Sequence, residues 1–168
     1  MLLAARRPRE SGRLTTQVGY ISRMSNAEAQ HSLPERLVLY DGVCGFCDGA
    51  VRWLLARDPV GRLTFAPLQG ETAAALRRRH PEIPCDLDTM VYVETDAEGE
   101  RVHLRSEAVF RVLAEIDGPW RRVALLRRLP RWLREAGYRL FARYRYRIFG
   151  KLDACPVPEP PERARFVA

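Results

Sequence analysis

The chain has 168 residues, 46% hydrophobic and 29% charged, which is enough apolar content to close one core but too short for two full domains, and rules out wholesale disorder. The formal charge of +7 is unevenly spread: residues 118–151 hold ten arginines and Lys151 against Glu135 alone, leaving the rest of the chain net acidic. Apolar runs fall far short of the roughly 20 residues that cross a bilayer. The start also lacks the apolar stretch of a secretory signal, which points to a cytoplasmic protein.

Residues 1–34 are rich in Arg, Ser and Thr without sustained periodicity and read as a disordered leader. Their acid-poor composition is also that of a mitochondrial-type transit peptide. From Leu37 to Tyr40 a short apolar run predicts a buried strand, ended by the turn pair Asp41-Gly42. Phe46, Ala50, Trp53, Leu54 and Arg57 then recur at helical spacing until Asp58-Pro59 stops them. Leu63–Ala66 predicts a second strand and Glu71–His80 a second helix, closed by Pro81. Thr89–Glu94 and Arg101–Leu104 flank Asp96–Gly99, the strongest hairpin signal in the chain. Ser106 is placed to cap a helix whose stripe is Ala108, Val109, Val112, Leu113 and Ile116, ended by Gly118-Pro119.

The resulting order, βαβαββα over 35–118, implies a parallel βαβ unit joined to an antiparallel hairpin in a mixed four-stranded sheet. Residues 119–155 read as a basic helical extension broken near Pro130, with Val123, Leu126, Leu133, Gly137, Leu140 and Tyr144 forming a stripe that packs on the domain while arginines face water. Residues 156–168 read as a Pro-rich extended tail.

Cys44 and Cys47 form a CxxC where the first strand runs into the first helix. Free amides and the positive end of the helix dipole favour a thiolate there, lowering a cysteine pKa from about 8.5 to as little as about 3.5. Cys44 is then the nucleophile, and Cys47, one turn on, resolves the mixed disulfide. Asp41, three residues before Cys44, suits two roles: an N-cap accepting from the Cys44 amide, or a carboxylate acting on thiol titration.

The run Tyr40-Asp41-Gly42-Val43-Cys44-Gly45-Phe46-Cys47, with Asp-x-x-Cys-x-x-Cys at its centre, resembles the DCC family of thiol-disulfide oxidoreductases. The resemblance continues in Arg105-Ser106-Glu107-Ala108, in Arg145-Tyr146-Arg147-Ile148-Phe149-Gly150, and in the following Cys155. It implies a thioredoxin-like fold, a redox role for Cys44 and Cys47 with no cofactor, and auxiliary roles for Arg145, Arg147 and Cys155. The partner would be a protein or a low-molecular-weight thiol or disulfide. Thioredoxin-like enzymes usually carry a cis-proline just before the third strand; Asp88-Thr89 stands there instead, a departure that bears on substrate docking.

Two other readings remain open. Cys44 and Cys47 could be half of a metal site, although Cys85, Cys155, His31, His80 and His103 form no second pair at ligand spacing, so no metal site is expected. The basic helices could instead make weak contact with an anionic membrane surface. Nucleic acid is disfavoured, because no series of loop aromatics supplies stacking platforms.

Overall fold

The computed structural model describes residues 33–86, 89–153, 158 and 160–167. Apart from its last two residues, the expected leader lies outside these, as does Cys155. The chain divides at Leu33, and the elements described lie in the unit from Pro34 onward.

Strand β1 (Arg36–Tyr40) leads through a four-residue turn into α1 (Gly45–Leu55), followed by β2 (Thr64–Pro67), α2 (Glu71–Arg79), β3 (Val91–Asp96), β4 (Gly99–Leu104) and α3 (Arg105–Glu115). The sheet order is β2-β1-β3-β4. The α1 crossover sets β2 parallel to β1, and β3 and β4 run antiparallel as a hairpin. This is the mixed sheet of a thioredoxin-like fold.

β1 is the spine. Leu37, Val38 and Leu39 are all fully buried, as a central strand covered on both faces requires. Val38, Phe65 and Tyr92 cluster with Val51 and Leu54 of α1 and with Ala108, Val112 and Ile116 on the α3 side. Each such side chain contributes about 1.5–3 kcal/mol by leaving water. α2 buries Ala73 and Leu76 beside β2.

Two local expectations need correcting. Ser106 does not cap α3: β4 passes into the helix without a loop, Arg105 makes the turn with φ of +54°, and no side chain caps the start. The Ser106 hydroxyl is buried and donates to Glu135. The tail, expected to be extended, comes back to the sheet. Arg165 pairs with the buried Asp58, the Val167 amide donates to the Phe65 carbonyl at 2.9 Å, and Phe166 lies 5.7 Å from the Phe65 ring.

The helical extension contains α4 (Trp120–Val123), a 3-10 turn (Ala124–Arg128) and, after Pro130, α5 (Arg131–Phe149). Trp120 packs edge-on against Trp53 of α1. Sequence periodicity placed the stripe through Leu133, Leu140 and Tyr144 in the core. In the structure α5 is turned the other way: it buries Glu135, Ala142 and Arg145 and leaves Leu133, Leu140 and Tyr144 exposed. The reason is what the helix packs against. Its inner face meets the polar strand-to-helix junctions at Asp41 and Ser106, so polar side chains satisfy it better than leucines would.

Candidate functional site

The β1–α1 junction holds the CxxC. Cys44 is the N-cap of α1, with extended backbone, and its Sγ accepts the Cys47 amide at 3.4 Å. A sulfur thus occupies the place where Ser or Asp usually satisfies a first-turn amide. This corrects the expectation for Asp41: the Cys44 amide donates to the Asp41 backbone carbonyl, at 3.3 Å, and not to its carboxylate.

The Asp41 carboxylate, almost fully buried, gathers four donors. Oδ1 accepts from the Val43 amide at 3.2 Å and from Gln69 Nε2 at 2.8 Å; Oδ2 accepts from Arg145 Nη2 at 3.0 Å and from the Tyr146 hydroxyl. A carboxylate offers about four lone-pair sites. All are in use, so Asp41 organises the junction. Of the two arginines singled out in the sequence, Arg145 reaches the site and lies buried there, whereas Arg147, two residues on and so on nearly the opposite side of α5, is exposed. Tyr146 and Gln69 were missed. Tyr146 stands inside the C-terminal motif next to Arg145, which is a usable signal; Gln69, in the turn after β2, carries none.

Electrostatics separates the two sulfurs. Burial first, then the hydrogen bond and charge of Cys44, push the Cys47 thiol up to about 12. Burial works against the Arg145 charge, but the Tyr146 hydrogen bond and the nearby cysteine sulfurs outweigh it and hold the guanidinium more firmly protonated than usual. The Tyr146 hydroxyl is pushed up to about 12, by burial and then by its bond to Asp41.

Access also differs. Cys44 has no exposed surface, and Cys47 is half-buried. The end of α5 and the chain after it lie over Cys44: its backbone forms an antiparallel bridge with Lys151, and the Leu152 amide donates to the Val43 carbonyl at 2.8 Å. A Cβ on Gly45 would sit 2.7 Å from the Phe149 carbonyl, so the close approach requires glycine there. Phe46 packs against Phe141 and Phe149 at 4.7 and 4.9 Å. Cys47 instead lines a cavity of about 460 Å³ between α1, α3 and α5, walled by residues such as Val38, Leu54, Val109 and Phe110, with Thr89 and Arg145 at its edge. Cys85 is exposed, and among the described residues no group of three or more His, Cys, Asp or Glu side chains is disposed to hold a metal ion.

Residues 38–151 match the family model described as DCC1-like thiol-disulfide oxidoreductase. The chain belongs to that family. It is 37% identical over 136 residues to the uncharacterized protein YuxK of Bacillus subtilis (strain 168), covering 80% of this chain and 96% of that one. It is 34% identical over 120 residues to the chloroplastic DCC family protein At1g52590 of Arabidopsis thaliana, covering 71% and 67% respectively. No solved structure matches. Among the described residues, no helix is long and apolar enough to cross a membrane.

Proposed function

We propose that this member of the family carries out thiol–disulfide exchange through Cys44 and Cys47, with Cys44 as nucleophile and Cys47 as resolving thiol. The observation that carries the reading is the Cys44 sulfur standing as N-cap of α1, with the Cys47 amide donating to it. Cys44 thiolate attacks one sulfur of a disulfide R–S–S–R′, and R–S⁻ leaves. Cys47 then loses its proton and attacks Cys44 Sγ, the second thiol departs, and a Cys44–Cys47 disulfide forms. Two electrons pass to the substrate, and an external dithiol restores the pair.

Cys47 is the more accessible sulfur, so the reverse assignment has to be weighed. Burial and the Cys44 sulfur push its thiol up to about 12, so at neutral pH Cys47 stands protonated, the weaker nucleophilic form. Uncovering Cys44 means releasing the Leu152–Val43 hydrogen bond, the Cys44–Lys151 bridge and the contacts of Phe149 with Phe46 and Phe141. Cys44 therefore remains the better nucleophile, reached when the segment after α5 lifts. Asp41 acts as a positioning residue, holding Arg145 and Tyr146 beside the pair. Among the described residues Cys44, Cys47 and Cys85 are free thiols, which suits a reducing, cytoplasm-like compartment.

The test uses Cys47→Ala incubated with glutathione disulfide. Mass spectrometry should find one glutathione held on Cys44, whereas the wild type releases both and keeps an internal disulfide. No adduct at Cys44 in the variant would overturn the reading.

A further inference from the structure

We infer that the outward face of α5 docks on an anionic lipid bilayer. Soluble domains rarely display a long apolar ridge, and those that do use it for binding. Trp132, Ala136, Leu140, Tyr144 and Ile148 follow one another every four residues in a row that winds about 40° per step across the exposed side of the helix, with Leu140 and Tyr144 at its middle. Trp132, Leu140 and Ile148 are 72%, 61% and 67% exposed. Leu125, Leu126 and Leu129, just before Pro130, are exposed as well.

Charge identifies the occupant. Arg139, Arg143 and Arg147, all exposed, form a second row one residue behind the first and so about 100° around the helix. Arg121, Arg122, Arg128 and Arg131 are exposed as well, as is Arg127, 3.8 Å from Glu107, and the one acid between residues 118 and 151, Glu135, is buried. A second copy would bring these arginine rows against each other, so self-association is opposed. An apolar row with Trp and Tyr along it, flanked by arginines, is the pattern of a helix lying in the headgroup layer of an anionic membrane. α5 is 19 residues and about 28 Å long, and exposed Leu133, Leu140 and Tyr144 lie within about 40° of one another on the side opposite buried Glu135, Ala142 and Arg145, the strip a flat surface would meet. Exposed Leu133, Gly137 and Phe141 belong to this side of α5 and also to the lip of the cavity at Cys47, so docking turns that opening toward the acyl chains.

The experiment is co-sedimentation of the full chain with phosphatidylcholine vesicles made with and without phosphatidylglycerol. The wild type should pellet with the anionic vesicles, and salt should release it. Arg139→Gln/Arg143→Gln/Arg147→Gln should weaken binding to anionic vesicles by on the order of a hundredfold, at about 1 kcal/mol per arginine. Leu140→Asp/Ile148→Asp should abolish pelleting while leaving the circular dichroism unchanged, because both sites are exposed. Cys44→Ser should bind as wild type does, which separates docking from the redox reading. Three results would overturn the inference: wild type left in solution with both vesicle types; Leu140→Asp/Ile148→Asp pelleting as wild type does; or a dimer in solution that Leu140→Asp dissociates, which assigns the face to a second copy. Capture of an acidic protein without vesicle binding would also overturn it.

Discussion

Arg145→Met tests whether the buried charge pair is what anchors α5 to the CxxC junction. The side chains of Arg145 and Asp41 are 4% and 1% exposed and meet at 3.0 Å. Methionine fills much of the same volume, so the main loss is the charge. Asp41 would keep the Val43, Gln69 and Tyr146 donors, but as a carboxylate with no cation beside it. Removing one partner of a buried pair costs about 3–5 kcal/mol, chiefly because the remaining charge is stranded. For a domain of this size that corresponds to a fall in Tm of roughly 6–20 °C. The assay is a double-mutant cycle by urea denaturation with Asp41→Asn, which keeps the acceptor oxygen and removes the charge. Asp41→Asn should cost much less in the Arg145→Met background than in the wild type, with a coupling of about 1–3 kcal/mol. Loosening of α5 should also speed iodoacetamide alkylation of Cys44. Additive effects within about 0.5 kcal/mol, the scatter seen for independent sites, would refute the reasoning.

The remaining predictions concern the two sulfurs. Because burial and the Cys44 sulfur raise Cys47 from 9.0 to about 12 in the folded protein, the folded state holds that proton more tightly than the unfolded chain does. Its contribution is fully present below pH 9 and is lost as pH climbs toward 12. Urea midpoints under reducing conditions should therefore fall across that window in the wild type and fall less in Cys47→Ala; parallel curves would contradict the shift. Gly45→Ala places a Cβ against the Phe149 carbonyl and should displace the covering segment, destabilising the fold by about 1–3 kcal/mol. In a Cys47→Ala background it should also raise the alkylation rate of Cys44 severalfold, and an unchanged rate would mean that this segment is not the barrier.

Sequence alone was enough for the elements and for the place of the CxxC at the first strand-to-helix junction. Period-2 and period-3.6 patterns place β1 through α3, and the CxxC falls between the apolar run Leu37–Tyr40 and the helical spacing of Phe46, Ala50, Trp53 and Leu54, which puts its first cysteine at a helix N-terminus. These are local consequences of backbone geometry. The Cys44 cap, the partners of Asp41 and the direction α5 faces could not be read in this way, because each depends on which surface meets which. Asp41 reaches Arg145 across 104 positions and Gln69 across 28, and no periodicity reports on pairs so far apart. The stripe of α5 shows most clearly where local pattern stops being informative. Its spacing announces an apolar face, but whether that face meets the core or the outside is decided by the inner neighbour, and here buried Asp41 and Ser106 draw Arg145 and Glu135 inward, leaving the leucines and Trp132 outside.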